Sequence, residues 1–253
     1  KYKFLSADED RHWPAWEVPT GGEFSGEEQD WFDLGTPPVN AKVRVDRIRM
    51  DDWLEFLGYY ISEGCVHVQK RQRAVGGRDY DVADDNVLIA QENPEGRAKI
   101  STCLQTLGFK FFSSNDHQFR ICSKQLAEIL SPLGKSGDKY IPREYLQLSR
   151  RQSKILFDAL ILGDGTQRGE SYTYYTKSKQ LADDMQELAM RCGYAASVVS
   201  HAVGRDLYRV NIRPAVEANL VEPESIRYAG NVYCVNVTNH VVCVRRNGRA
   251  AWC

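Results

Sequence analysis

No apolar run in this chain approaches the roughly 20 residues that a membrane-spanning helix requires. The first residues also lack the apolar stretch of a secretory leader. Cysteine pairing is missing too. The seven Cys, at 65, 103, 122, 192, 234, 243 and 253, include no CxxC and are odd in number. That argues against a disulfide scaffold or a zinc site and for reduced thiols in an intracellular protein. Nor is there an excess of positive charge: 33 Lys and Arg against 34 Asp and Glu leave a net charge of −1. Composition alone therefore gives no pull toward a polyanion. What remains is globular, with 42% hydrophobic and 26% charged residues over 253 positions, enough for one sizeable core or two small ones.

The charge is unevenly spread. "KRQRAVGGR" at 70–78 and "VRRNGR" at 244–249 are basic, while acids gather at 24–33 and 79–85. A basic run is usually a solvated loop. A basic hairpin beside a catalytic carboxylate would be a different matter, so the first run needs placing.

Residues 1–49 are rich in Gly and Pro and predict loops and short strands, with "AKVRVDRIRM" (41–50) alternating like a strand. Over 51–62, Trp53, Leu54, Phe56, Leu57, Tyr60 and Ile61 recur at helical spacing behind Asp51 and Asp52, and Gly64 is a helix stop. "CVHVQ" (65–69) then alternates, the basic run is expected as a loop, and "NVLIAQ" (86–91) is a second strand. A helix follows over 93–108, with an Asn cap, Pro at its first position and a closing Gly. "FKFFSS" and "QFRICS" predict a hairpin around Asn115-Asp116, and 123–134 another helix.

That order then restarts: helix 150–165, strand 170–176, helix 178–193, and a hairpin around 203–205. The chain thus contains an internal repeat of about a hundred residues. The tail "NVYCVNVTNHVVCVRRNGRAAWC" (231–253) predicts short strands with an Asn-Gly turn and has no counterpart in either repeat.

The two repeats open on similar helices. "FLGYYISEG" (56–64) ends in Glu63-Gly64, and "LFDALILGDG" (156–165) ends in Asp164-Gly165. Small residues, Gly58 and Ala159, would let the two helices pack closely, which sets their acidic ends side by side. Carboxylates suit a helix C-terminus badly, because that end already carries negative partial charge. A divalent metal with oxygen ligands would balance them: Mg²⁺, or Mn²⁺, held by Glu63 and Asp164 at the Glu63-Gly64 and Asp164-Gly165 ends. Paired carboxylates sharing metal suit phosphodiester hydrolysis. One acidic helix end alone usually marks only a terminus; two copies, each opening a like unit, shift the balance.

These helices resemble the paired LAGLIDADG (dodecapeptide, DOD-type) motifs of homing endonucleases. The resemblance implies an α+β fold in which two pseudo-symmetric αββαββα repeats, 50–149 and 150–213, form a saddle on double-stranded DNA. "KYIP" (139–142) resembles the Lys-x-Ile-Pro element of intein-borne members, so Lys139 inherits a catalytic role near the attacking water. Strand and loop positions expected against DNA are His67, Gln69, Lys70, Arg71, Arg73, Arg120, Gln167, Arg168, Tyr172, Tyr174, Arg205 and Arg209, although two Tyr at alternating positions equally suit a core.

The tail is similar to an intein (Hint) splicing block, with His240 on the block histidine and Cys234 where inteins place an Asp or Cys. Residues 1–49 and 214–253 are then expected to form a partial all-β splicing domain from the two chain ends. Lys1 stands where an intein has its nucleophilic Cys or Ser, and no Asn precedes Cys253. The expectation is a piece cut at both ends that does not splice as given. Together these imply an intracellular, prokaryotic or phage-borne, monomeric DNA endonuclease with host exteins as partners and no membrane. Two alternatives stay open: DNA binding without cleavage, and a cis-acting splicing element.

Overall fold

A computed structural model describes residues 17–22, 24–37, 39, 43–75, 78–114, 117–202, 205–215, 217–219, 227–231, 235–237 and 242–252. Its strands and helices run β1 (Glu17–Pro19), β2 (Trp31–Asp33), β3 (Arg47–Arg49), α1 (Met50–Glu63), β4 (Gly64–Val75), β5 (Arg78–Ala90), α2 (Pro94–Thr106), β6 (Phe111–Ser114), β7 (Gln118–Cys122), α3 (Lys124–Leu130), α4 (Arg150–Asp164), β8 (Gly165–Arg168), β9 (Ser171–Thr176), α5 (Lys179–Arg191), β10 (Tyr194–Ala202), β11 (Arg205–Pro214), β12 (Glu217–Asn219), β13 (Cys243–Arg246) and β14 (Arg249–Trp252). No described helix is long and apolar enough to cross a membrane.

Four of the five described α-helices start where a polar side chain satisfies an orphan backbone N–H. The side chains of Asn93, Ser123, Ser149 and Ser178 accept from Glu95, Leu126, Gln152 and Leu181 respectively. Helix α1 has no such cap; β3 runs straight into it, and of the described part of the predicted 41–50 strand only Arg47–Arg49 is strand.

The core forms around α1 and α4. Trp53, Leu54, Phe56, Leu57, Tyr60 and Ile61 of α1 are buried, as are Leu156, Phe157, Ala159 and Leu160 of α4. Trp53 is held on two sides: Phe32 stacks on it with ring centroids 4.0 Å apart, and its Nε1 donates to Tyr145 Oη at 2.8 Å.

Each repeat contributes one antiparallel sheet on this helix pair. The orders β4-β5-β7-β6 and β8-β9-β11-β10 follow the same path, strand for strand, so the internal repeat is present in the topology. Three expectations need correction. The basic run is not a loop: Lys70–Val75 continues β4, paired with the acidic stretch of β5, Gln72 opposite Asp81 and Ala74 opposite Asp79. Lys70, Arg71 and Arg73 stand opposite Ala83, Val82 and Tyr80, so the run pairs through the antiparallel backbone ladder and not through opposite charges. Next, the second repeat has no described helix matching α3; β11 is followed by β12, which pairs with β1. Finally, the terminal hairpin is not separate from the second repeat. Strand β14 pairs with β10 at Ser197 and Arg249, making a six-stranded sheet. Its Asn-Gly turn is as expected, with Asn247 and Gly248 at φ 51° and 74°. Asn231 and residues 235–237, expected in strands, lie outside any strand.

Candidate functional site

The site begins with a missing methyl group. A Cβ on Gly58 would lie 2.5 Å from Ala159 Cβ, so α1 and α4 approach closer there than two alanines allow. The contact recurs toward the C-terminal ends. A Cβ on Gly163 would lie 2.3 Å from Ser62 Cβ and 3.5 Å from Glu63 Cγ. Ser62 Oγ also donates across the pair to the Leu160 carbonyl at 3.4 Å. The two acidic ends are therefore neighbours.

The closing glycines work differently from a left-handed helix cap. Gly64 and Gly165 are extended, with φ −102° and −105°. A Cβ at Gly64 would meet the Tyr60 carbonyl oxygen at 2.7 Å, and one at Gly165 the Ile161 carbonyl oxygen at 2.6 Å. Glycine is needed because each chain leaves its helix directly into a strand, over the backbone of the residue four earlier.

Both carboxylates are half-buried. Burial pushes Asp164 up to about 7, and the nearby Glu63 adds to this. Glu63 is raised as well, by burial first; the amide of Gln91, donating to its Oε1 at 3.3 Å, works in the other direction. Gln91 is itself fixed, its Oε1 accepting the Asn93 backbone N–H at 2.9 Å. Sequence reasoning does not select Gln91; its position just after β5 carries no motif, and only the fold sets it beside Glu63. Among the described residues, no cation is paired with either carboxylate.

Lys139 is not a surface lysine but is 2% exposed. Its Nζ donates to the Tyr60 carbonyl at 3.1 Å and lies 3.6 Å from the centroid of the Tyr60 ring. The ammonium therefore sits at the negative C-terminal end of α1. Burial lowers its pKa to about 8. The second repeat sets its position: Ser178 Oγ donates to the Lys139 carbonyl at 2.6 Å, and Asp184 accepts the Ile141 N–H at 2.9 Å. A cleft of about 670 Å³ runs past this point, lined by Glu63, Gly64, Cys65, His67, Lys135 and Lys139. A larger groove of about 1000 Å³, along Arg150, Lys154 and Asp158 of α4, contains neither carboxylate.

Strand register separates the expected DNA contacts. In the first sheet, Val87, Ile89, Phe119 and Ile121 face the helices. His67 and Arg120 are exposed on the opposite face, and Gln69, Arg71 and Arg73 share the parity of His67. Lys70 falls on the other parity. In the second sheet, Arg168 and Arg209 stand on the face away from the helices, with Thr173, Tyr175, Asn211 and Arg213. Tyr172 and Tyr174 do not. Tyr174 is fully buried with its Oη 3.4 Å from Ser62 Oγ, and Tyr172 packs edge-on against Phe157. The strand takes the opposite phase to the one expected; Thr173 and Tyr175 hold the outward positions. Gln167, opposite Tyr172, shares the helix-side parity and donates to the Gly169 carbonyl at 3.0 Å. Arg205 lies in β11, while Cys234 and His240 lie outside the described residues.

Residues 153–220, which include the second acidic helix end, match the model of the LAGLIDADG-like domain. Among curated proteins, the chain is 28% identical to an ATP-dependent Clp protease proteolytic subunit of Chlamydomonas moewusii, over 77% of this chain and 20% of that protein. It is 26% identical to a DNA-directed RNA polymerase subunit beta C-terminal section of Stigeoclonium helveticum, over 90% and 26% respectively. It is 28% identical to a DNA gyrase subunit of Mycobacterium kansasii, over 77% and 35%. The chain thus spans about a third or less of each. Among solved structures, a mesophilic variant of the homing endonuclease I-DmoI gives a TM-score of 0.49 at 15% identity, covering 64% of this chain and 88% of that one. I-DmoI in complex with DNA and Mn gives 0.47 at 14% identity, covering 64% and 89%.

Proposed function

We propose that this chain is a site-specific endonuclease for double-stranded DNA, dependent on a divalent metal and of the LAGLIDADG homing type. The observation that carries the proposal is the abutting pair of acidic helix ends, Glu63 and Asp164, brought together by the Gly58–Ala159 contact. Their residues fit a divalent cation. Two carboxylates are raised by burial and, at Asp164, by mutual repulsion, with no protein cation paired to them among the described residues. No described cluster of three or more His, Cys, Asp or Glu surrounds them, which suits Mg²⁺ or Mn²⁺ that keeps water and takes substrate phosphate oxygens. When bound, such an ion polarises a phosphoryl oxygen as a Lewis acid.

The chain's own residues do the rest. Glu63 and Asp164 present negative charge from two helices at one point between the sheets. Gln91 fixes the Glu63 carboxylate. Lys139, which lines the same cleft as Glu63, holds a buried positive charge at the end of α1 that would stabilise charge developing on a phosphate. The outer faces of both sheets, with Arg71, Arg73, Arg120, Arg168 and Arg209, bind the duplex on either side. Both halves are in one chain, so a monomer suffices.

We also infer that the endonuclease, residues 50–213, is carried in an intein. The three curated relatives have unrelated names, and the matched portion is a minor part of each. A segment shared by otherwise unlike proteins is what an inserted element leaves. On this reading 1–49 and 214–253 derive from the splicing domain, with Cys234 and His240 in its block, and the flanking host segments are the exteins.

The test is cleavage of duplex DNA carrying an uninterrupted host-gene junction, in Mg²⁺, by the chain and by Glu63→Gln, Asp164→Asn and Lys139→Met. Loss of cleavage in both carboxylate variants with DNA binding retained is the expected result, and Lys139→Met should lose on the order of 10²-fold or more. Nicking that survives Glu63→Gln and Asp164→Asn would reject the centre. A coding sequence with no host reading frame on either side would reject the intein context and leave the nuclease standing.

A further inference from the structure

The second repeat's sheet is two strands wider than the first, and the extra strands are the terminal hairpin. Three contacts fix which way that hairpin faces. The Gly248 carbonyl accepts from the Val198 N–H at 2.8 Å and from Gln186 Nε2 at 2.8 Å. Arg245 reaches down to α5, its Nη1 3.0 Å from Asp183 Oδ1. Arg245 is therefore on the helix side. Arg246 and Arg249, opposite each other in the ladder, are on the other side and exposed. The sheet register agrees independently: Arg249 pairs with Ser197, Ser197 with Asn211, and Asn211 with Thr173, all on the outer face.

We propose that the β13–β14 hairpin is a DNA-contacting element that extends the duplex-binding face of the second repeat beyond its four strands. The inference rests on the endonuclease reading above. Arg246 and Arg249 join Arg168, Arg209 and Arg213 on one sheet face, and no described Asp or Glu stands at the strand positions of that face. Arg209 Nε is buried there with no hydrogen-bond partner among the described residues. Five guanidinium groups without local acids match a polyphosphate, and the hairpin's place at the sheet edge puts its two on the flank of the half-site. They grip backbone phosphates rather than bases, so they add affinity and orientation without sequence preference. The occupant is the duplex flank. The basic 244–249 run, expected in a separate domain, thus serves the nuclease.

The full-length chain is titrated with a mixed-sequence duplex in Ca²⁺ at several salt concentrations. Three variants are compared: Arg246→Ala/Arg249→Ala, Arg246→Lys/Arg249→Lys, and Arg120→Ala in the first sheet. Each phosphate contact contributes about 0.9 to the slope of log affinity against log salt, so the double alanine variant should bind more weakly with a slope shallower by roughly two. The double lysine variant should keep most of the slope. Melting temperatures should match, because both side chains are exposed. An unchanged slope in the double alanine variant, alongside a reduced one in Arg120→Ala, overturns the hairpin proposal and leaves the endonuclease reading intact. A wild-type chain that does not bind duplex DNA overturns both.

Discussion

The Asp164 side chain is held far from the ordinary behaviour of a carboxyl. Its carboxyl, normally ionised well below neutrality, is raised to about 7 because burial penalises the charge and Glu63 repels it. The consequence for stability has a definite sign. The folded protein holds a proton on Asp164 between about pH 4 and about pH 7, where the unfolded chain has released it. Metal-free protein should therefore be most stable at the acid end of this window and lose stability as pH rises through it. Thermal melts in a chelator, read across the window, should show this decline, and Asp164→Asn should flatten it. A melting temperature that climbs from about pH 5 to about pH 7 in the wild type, with the same climb in Asp164→Asn, would mean that Asp164 is not buried against Glu63. Lys139 is the counterpart, a cation kept out of water whose ammonium is held by a helix-end carbonyl and an aromatic face.

At the scale of elements, the decisive contact is the α1–α4 crossing. Ångström-level separation there sets whether the carboxylates share an ion. Gly58→Ala places a methyl 2.5 Å from Ala159 Cβ, so the helices must part or tilt. Overpacking of this kind costs about 1–3 kcal/mol. Cleavage should fall further than that loss of stability explains, because the centre widens. The reciprocal change Gly58→Ala/Ala159→Gly restores the sum of the side chains at the crossing. It should recover much of both stability and cleavage in a double-mutant cycle. Additivity of the two changes would show that the crossing does not couple them. The Ser178 and Asp184 contacts to the Lys139–Ile141 backbone belong to the same scale: they let the second repeat set the position of a lysine that serves the first.

For the whole molecule, the site is a place where two acidic helix ends are packed together, and on the proposed function a divalent cation would offset their repulsion. Adding Mg²⁺ at neutral pH should raise the melting temperature by mass action, the folded state gaining about 2.7 kcal/mol at a hundredfold excess over the dissociation constant. Asp164→Asn should abolish the rise. A melting curve indifferent to Mg²⁺ in the wild type would remove the metal centre from the proposal. Net charge is no guide at this scale. The chain carries −1 overall, yet the outer face of the second sheet collects arginines from β8, β11, β13 and β14. A neutral sum hides a one-sided distribution.

Sequence alone settled the features that depend on near neighbours. Helix caps at Asn93, Ser123 and Ser178, the Asn247-Gly248 turn, the apolar spacing of α1 and α4 and the order of the two repeats were all legible, because each is fixed within a few residues. So was the pairing of Gly58 with Ala159, since small residues at matching points of two like helices predict close approach. The phase of β9 was not legible. Tyr172 and Tyr174 alternate as well in either register, and only the packing against Phe157 and Ser62 decides that they face inward. The basic run is strand because β5 pairs with it residue for residue as far as Val75 and Arg78, a register that the local sequence does not announce. Gln91 joined the site, and the terminal hairpin joined the second sheet, through contacts that no local pattern encodes. Local chemistry chooses helix, turn and cap; which face of each sheet turns outward, and which amide steadies the carboxylate, depends on long-range packing that exists only once the chain has closed on itself.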